Sequence, residues 1–165
     1  MTDRGIPVRL LAAGDEADES ELGGVRNRFV IDGADTDGRF ALVQHFFAPK
    51  ALAAPMHRHR NEDEFTYVLN GRIGAVIEGH EVVAEAGDLL FKPRGEWHTF
   101  WNAGVEPAVC LELISPAALE DLFRSFASVT EPPTPEVLAG LAIEYGCEVD
   151  FEATMPLVER LGLVF

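Results

Sequence analysis

Cysteine, basic side chains and long apolar runs are all scarce in this sequence, and each scarcity excludes a class of protein. Among 165 residues there are two cysteines, Cys110 and Cys147, which are too few and too far apart for a metal ribbon or a redox pair. The 13 lysines and arginines against 28 acids give a formal charge of -15, which repels nucleic acid and anionic membranes. We therefore predict a cytoplasmic protein with reduced thiols and no nucleic-acid partner.

No stretch of the sequence approaches the ~20 consecutive apolar residues that a membrane-spanning helix needs. The N-terminal segment 1–19 interleaves charges with its apolar residues, so it lacks the apolar central run of a secretion signal. With 47% hydrophobic residues, a chain of this length has enough apolar surface for one packed core. The sequence predicts a single folded domain without a membrane partner.

Between about residue 25 and residue 115 the sequence consists of short β-branched and aromatic runs separated by Gly, Pro, Asn and Asp, which is typical of an antiparallel all-β domain. Asn70 and Gly71 both tolerate positive φ, so they predict a tight hairpin between two of these runs. The acidic stretch GDEADESELGG before them is predicted to be a solvated loop. Eight runs favour a jelly-roll β-barrel: RNRFVI, RFALVQHFF, EFTYVL, RIGAVIE, EVVAE, DLLFK, HTFWN and AVCLELI.

The C-terminal part of the chain has a helical pattern. Apolar residues recur there at intervals of three and four: Leu119, Leu122, Phe123 and Phe126. A second helix is predicted to begin at Thr134 and end at Gly146, and a third to carry Leu157. These helices have too little apolar surface for a separate core. We therefore expect residues 116–165 to pack on the β-barrel of residues 1–115, or on a second subunit, as part of one domain.

Two of the five histidines stand two residues apart, at His57 and His59. On an extended segment such side chains project to the same face, so the two imidazoles can address one point. Glu64 has the opposite parity to these histidines, so on a continuous strand its carboxylate would point away from them. The turn-prone segment between His59 and Glu64 must therefore bend if Glu64 is to face the imidazoles. A second stretch, GDLLFKPRGEWHTFWN, ends in a strand that carries His98. Three imidazoles and a carboxylate would suit Zn, Fe, Ni or Mn.

The neighbours of these residues are predicted to have structural roles. Glu62 and Asp63 compete with Glu64 for the ligand position, but the six-residue gap to the following glycine favours Glu64. The two neighbours are therefore predicted to be surface charges. Trp101 has the opposite parity to His98, so it is predicted to pack on the outer face of its strand.

Both stretches resemble the two motifs of the cupins. The first cupin motif reads His, any residue, His, three or four residues, Glu, six residues and Gly, and is matched by His57, His59, Glu64 and Gly71. The second reads Gly, five residues, Pro, any residue, Gly, two residues, His, three residues and Asn. It is matched by Gly87, Pro93, Gly95, His98 and Asn102. One departure is Ala51, where the first motif usually opens with Gly.

The resemblance implies a β-barrel of six to eight strands with one divalent transition metal, Fe, Ni, Mn or Zn, at its inner face. The implied ligands are His57, His59, Glu64 and His98. Cupins generally pair, so the resemblance also implies a homodimer. The family includes oxygenases, isomerases, lyases, cyclases and sensors, so membership does not name a reaction. The stretch DTDGRFALVQHFF and the C-terminal helices are most similar to small bacterial cupins that are called quercetinase-like.

We expect a metal-dependent enzyme with a small-molecule substrate. Dioxygenase chemistry on an aromatic or enolic compound, which would make it an oxidoreductase, stands ahead of non-oxidative cyclase or isomerase chemistry. Glu64 is expected to act also as a catalytic proton acceptor. The competing hypothesis is a cupin that binds a small ligand without catalysis. Possible pocket-lining residues are His45, Thr66, Val68 and Phe100.

Overall fold

The computed structural model describes residues 10, 12, 17–129 and 133–164, and their strands form two antiparallel sheets. The strands are β1 Glu19–Leu22, β2 Val25–Ile31, β3 Ala41–Phe47, β4 Met56–His59, β5 Asp63–Asn70, β6 Arg72–Ile77, β7 His80–Glu85, β8 Leu89–Lys92, β9 His98–Asn102, β10 Ala108–Ser115 and β11 Cys147–Asp150. The helices are α1 Glu120–Ser125, α2 Pro135–Glu144 and α3 Phe151–Leu161. The predicted antiparallel jelly-roll barrel with C-terminal helices is confirmed.

The sheet order places strands that are distant in the sequence side by side. One sheet runs β1-β2-β3-β10-β5-β8, and the other runs β11-β4-β9-β6-β7. In β3 and β10 every second residue is buried, so one face of each strand is turned into the barrel. As a result, β4 and β9 in one sheet and β5 in the other contribute inward-facing side chains to the same interior.

Three apolar clusters hold the barrel and the helices together. The largest lies inside the barrel and includes Phe47, Val68, Ile73 and Phe100. A second joins barrel residues to the helical part through Leu119 and Ala142. In the third, Trp101 of β9 and Leu52 pack on Leu157 of α3, so Trp101 faces outward as its parity predicts. Among the described residues, no helix is both long and apolar enough to cross a membrane.

Two strands were not expected from the sequence. β1 lies within the acidic stretch that was predicted to be a loop, and that prediction is wrong for residues 19–22. Ser20 is buried there and pairs with Asn27 of β2. β11 lies between two helices and pairs with β4, with Cys147 opposite His59. Both strands have four residues with few β-branched side chains, and they are held by backbone pairing that side-chain patterns do not report.

Gly74 of β6 leaves room for the indole ring of Trp101, its pairing partner on β9. A methyl group at this position would lie 2.4 Å from the ring. Because the ring is 3% exposed and held on its other side, it has little freedom to move away. We expect Gly74→Ala to lower the free energy of unfolding by about 1–3 kcal/mol in chemical denaturation.

The matched control for this substitution is Gly140→Ala. Gly140 lies on the exposed side of α2, and a methyl group there would meet no atom within 4 Å. Alanine stabilises a helix interior relative to glycine by roughly 0.5–1 kcal/mol, so the control is expected to raise the free energy of unfolding. A loss of stability in Gly140→Ala equal to that in Gly74→Ala would contradict the close packing of the indole.

Candidate metal centre

The structure brings the four predicted ligands together inside the barrel. His57, His59, Glu64 and His98 are all buried, and each offers one donor atom within 4.8 Å of the others. His57 on β4 pairs directly with His98 on β9, while Glu64 on β5 faces them from the opposite sheet. The Oε2 atom of Glu64 lies 3.2 Å from Nε2 of His98 and 3.5 Å from Nε2 of His59.

A bend between β4 and β5 resets the strand parity and turns Glu64 inward. β4 ends at His59 and β5 begins at Asp63, so the intervening residues are not part of either strand. The turn of the second motif is attached to this bend, because the backbone N–H of Gly95 donates to the carbonyl of His59 over 2.8 Å. Gly95 has a φ of 82°, in the left-handed region that favours glycine. The two motifs thereby position each other.

The ring nitrogens that point away from the centre are held by hydrogen bonds. Nδ1 of His57 lies 2.7 Å from the carbonyl oxygen of Pro55, and Nδ1 of His98 lies 2.9 Å from that of Glu96. A carbonyl only accepts, so both Nδ1 atoms carry a proton, and Nε2 is the nitrogen of each ring that is left to bind a cation. Such partners fix the tautomer and orientation of histidines that bind metals.

His59 completes the set with a sulfur partner. Its Nδ1 lies 3.0 Å from Sγ of Cys147 on β11, and its Nε2 has no hydrogen-bond partner within the described part of the chain. A buried nitrogen without a partner at the centre of a cluster of donors is the arrangement that a bound cation would satisfy. Three imidazole nitrogens and one carboxylate oxygen therefore fit a divalent transition metal in both type and number.

A fully buried ion-pair network lies behind Glu64. Nζ of Lys92, on β8, is 2.9 Å from Oε2 of Glu64 and 2.6 Å from Oε1 of Glu112 on β10. The hydroxyl of Thr66 donates to the second oxygen of Glu112 over 2.6 Å. Neither Lys92 nor Glu112 was predicted from the sequence to belong to the site. The available signal was parity, because Lys92 shares the inward parity of the buried Leu90 on the same strand.

The surroundings favour an ionised Glu64 beside two neutral imidazoles, those of His57 and His98. Burial raises the pKa of Glu64, but the Lys92 ammonium and His59 outweigh it and hold that pKa well below its usual range. Burial, followed by the neighbouring His98 and His59, lowers the pKa of His57, and burial also lowers the pKa of His98. These are the charge states in which such groups bind a cation.

Two other groups at the site have raised pKa values. Burial lowers the pKa of His59, but Glu64 and Cys147 outweigh it and raise that pKa to about 10. Burial raises the pKa of Glu112 to about 7 against the opposing effect of Lys92. The centre without a metal therefore holds positive charge on His59 next to Glu64, in the place where a cation would bind.

Two adjoining cavities open beside the four side chains. The first has a volume of about 70 Å³ and lies between the barrel and the C-terminal helices. Apart from His57 and His59, its walls are mostly apolar and include Leu119, Leu122, Phe123, Phe126, Leu138 and Val149. The second has a volume of about 30 Å³ and includes Asn27, His45, His57, Glu64 and Phe100. Phe123, Phe126 and His57 line both.

The predicted pocket residues divide between these cavities and the core. His45 and Phe100 line the second cavity. Thr66 and Val68 line neither cavity. Thr66 is bonded to Glu112 instead, and Val68 lies in the largest apolar cluster. A lining role for these two residues stays a prediction.

The prediction that Glu62 is a surface charge is wrong. Glu62 is 2% exposed, and one of its carboxylate oxygens has no hydrogen-bond partner in the described ranges. It shares the parity of Glu64, so the same bend that turns Glu64 inward also buries Glu62. Asp63 does lie outside the site, where its carboxylate binds the exposed guanidinium of Arg94 at 2.6 Å.

Comparisons with known proteins agree with this site and fold. The Cupin domain family matches residues 44–114. The pectin degradation protein KdgF of Dickeya dadantii is 30% identical over 102 residues, which are 62% of this chain and 88% of KdgF. The tetracenomycin polyketide synthase protein TcmJ of Streptomyces glaucescens is 36% identical over 62 residues, or 38% of this chain. The chain spans 42% of the length of TcmJ.

A solved structure shows the same fold. It is a Thermotoga maritima protein described as a predicted oxalate decarboxylase, with a TM-score of 0.60 and 20% sequence identity. The likeness covers 65% of this chain and 99% of that chain, and at this identity it concerns the fold alone. The match to the Cupin domain family agrees with the two phased motifs and with the buried cluster of three histidines and a glutamate, and we conclude that the chain belongs to the cupin family.

Proposed function

We propose that this cupin is a metal-dependent enzyme with dioxygenase-type chemistry on a small aromatic or enolic molecule. The metal would be a divalent transition ion held by His57, His59, Glu64 and His98. The observation that carries the proposal is that this cluster opens onto a cavity with almost entirely apolar walls, covered by the C-terminal helices. A metal at the edge of such a cavity would meet an apolar substrate away from bulk water.

The walls of the cavities favour an uncharged substrate over a sugar acid or a phosphate. Neither cavity has a lysine or arginine among the described residues that line it. Away from the proposed metal, an anionic group would lose its hydration against these walls without a countercharge, which is costly. An aromatic ring would instead gain about 25 cal/mol for each Å² of apolar surface buried. The name of TcmJ connects that relative to polyketides, which carry enolic and aromatic groups, and so supports the same class.

The residues of the site would have distinct tasks in such a reaction. When bound, the metal would activate the substrate hydroxyl as a Lewis acid and, in the case of Fe, provide the site of dioxygen chemistry. The carbonyl groups of Pro55 and Glu96 keep the imidazoles of His57 and His98 turned toward the centre. Glu64 is ionised, and its carboxylate would accept the hydroxyl proton of the substrate once the Lewis acid had made that hydroxyl more acidic. Phe123 and Phe126 would exclude water from the substrate.

Oxygen uptake tests this function. The protein would be purified without oxygen, its metal content measured, and uptake followed with a panel of flavonols and β-diketones. We expect consumption of one O₂ per substrate molecule, which is lost in His98→Ala and retained in the exposed-site control His80→Ala. Conversion of a substrate without oxygen uptake would contradict the dioxygenase proposal and support a cyclase or isomerase. Binding without conversion would identify a ligand-binding cupin.

A homodimer is proposed on the basis of exposed apolar side chains at the edges of both sheets. β8 and β7 are edge strands, and together with β5 they expose Tyr67, Leu69, Val82, Val83, Leu89 and Phe91. Each of these side chains is between 41% and 57% exposed, and edge strands have unpaired backbone groups that favour association. A second copy of the chain would cover this apolar surface, as the cupin family implies.

Both cysteines are free and buried, which agrees with the proposed cytoplasmic location.

The homodimer can be disrupted by a single charge. We expect sedimentation or light scattering to find a dimer at micromolar concentration, and a monomer for Phe91→Glu, because the carboxylate would be desolvated in the interface. The control is Ile143→Glu, which places the same charge at a 69% exposed position on α2. A monomeric wild-type protein, or equal dissociation by both variants, would contradict the proposed interface.

A further inference from the structure

His45 on β3 is a buried imidazole that the proposed metal centre does not use. The side chain is 2% exposed and is surrounded by the aromatic rings of Phe47, Phe100 and Phe123, with ring centroids 5.6 to 6.3 Å away. It lines the second cavity together with His57 and Glu64. Within the described chain, its Nε2 atom has no hydrogen-bond partner. A buried acceptor without a donor costs roughly 1–3 kcal/mol, so this atom needs an explanation.

The other nitrogen of the ring is held by a row of polar side chains across three strands. Ser20 pairs with Asn27 in the register of β1 and β2, and Asn27 pairs with His45 in the register of β2 and β3. The amide nitrogen of Asn27 donates to the hydroxyl of Ser20 over 3.0 Å. Its amide oxygen therefore faces His45 and accepts a hydrogen bond from Nδ1 over 2.7 Å.

This row determines which nitrogen of His45 can accept a hydrogen bond. With the proton on Nδ1, the lone pair is on Nε2. Burial, with a smaller effect of Lys92 and against that of Glu64, lowers the pKa of His45 to about 3, so the ring is neutral near pH 7. Ser20 and Asn27 are buried as well, and so the tautomer is protected from exchange with water partners. His45 is thus a preorganised acceptor beside the ligand cluster.

The two cavities together describe a ligand with one apolar part and one hydrogen-bond donor. They share Phe123, Phe126 and His57, so an apolar ring in the first cavity would lie next to the second. We propose that Nε2 of His45 binds a hydroxyl group of the substrate, which makes His45 a substrate-binding residue outside the metal centre. The ligand class is a phenol or enol. The identity of the substrate depends on the function proposed above, whereas the preference of this site for a ligand with a hydroxyl group does not.

The preference for a donor can be measured with phenol and toluene, which have almost the same shape. The full-length protein, both as purified and after removal of metal, would be titrated with each compound. We expect phenol to bind about 3- to 10-fold more tightly than toluene, the range of one net hydrogen bond. His45→Leu is expected to remove most of this preference and to leave the affinity for toluene unchanged. Equal affinities in the wild type, or a full preference in His45→Leu, would overturn the proposal.

A second measurement does not depend on a variant that folds. The ¹⁵N chemical shifts of labelled histidines distinguish a protonated from an unprotonated ring nitrogen, and we expect His45 to be protonated on Nδ1 alone. Ser20→Ala, which removes the outer anchor of Asn27, is expected to shift this resonance toward a mixture of tautomers. A proton on Nε2 in the wild type would overturn the proposal. If no oxygen is consumed but the preference for phenol is intact, the proposed dioxygenase activity is contradicted and the role of His45 is not.

Discussion

Replacing His98 by alanine is expected to lower the affinity of the protein for a divalent transition metal on the order of 100-fold or more. Loss of a side chain that only hydrogen-bonds to a metal ligand typically lowers metal affinity 10- to 100-fold, and His98 is proposed as a direct ligand. Its Nε2 lies 3.2 Å from the Glu64 carboxylate, so the substitution removes one of the four donor atoms of the buried cluster. Competition with a chromophoric chelator for Zn²⁺ and Mn²⁺ measures the change.

The control for this substitution is His80→Ala. His80 is the exposed first residue of β7 and contributes nothing to the buried cluster. It is expected to keep the affinity of the wild type within a factor of two or so, because an exposed histidine binds metal weakly on its own. A similar affinity of both variants would mean that the metal binds elsewhere, and the assignment of the centre would then be wrong.

Replacing Lys92 by methionine is expected to lower the free energy of unfolding of the metal-free protein by about 3–5 kcal/mol. The ammonium is fully buried between Glu64 and Glu112, and its removal would leave both buried carboxyl groups without the cation that they share. Methionine has a similar length, so the loss reflects charge more than volume. Urea denaturation after treatment with a chelator measures the effect.

Two further measurements separate the charge effect from a packing defect. Lys92→Met combined with Glu112→Leu removes one carboxylate together with the ammonium, so it is expected to recover part of the lost stability. Saturating metal would replace the countercharge beside Glu64, so it is expected to stabilise Lys92→Met more than the wild type. A loss below about 1 kcal/mol in Lys92→Met would contradict the role of the ion pair.

The parts of the fold that were predictable are those encoded by local patterns. Alternation predicted the main strands. The hairpin predicted at Asn70 and Gly71 is wrong: a turn with Gly71 at a φ of 80° does join β5 to β6, but the two strands lie in different sheets and do not pair. The turn carries the chain from one sheet to the other, which the turn residues alone do not reveal. Intervals of three and four gave the helices, with α2 beginning at Pro135 after its cap Thr134. The four residues of the centre were predictable because two motifs at fixed spacing specify them.

The parts that were missed depend on pairings between distant strands. The contact of Lys92 with Glu112 joins β8 to β10 across β5, and no local pattern reports it. The row from Ser20 through Asn27 to His45 exists only because three strands are in one register. β11 was missed because its four residues lie between two helices, yet it provides the sulfur partner of His59. Such contacts depend on which strands are neighbours in the sheets, and local sequence patterns do not specify this.

Anomalous scattering from crystals of the purified protein is the most direct test of the proposed centre. Data collected at the absorption edge of the metal found by elemental analysis are expected to show one strong peak. It would lie about 2.0–2.2 Å from Nε2 of His57, His59 and His98 and from a carboxylate oxygen of Glu64. A peak bound by other residues, or none after incubation with Fe²⁺, Mn²⁺, Ni²⁺ and Zn²⁺ in turn, would contradict the account.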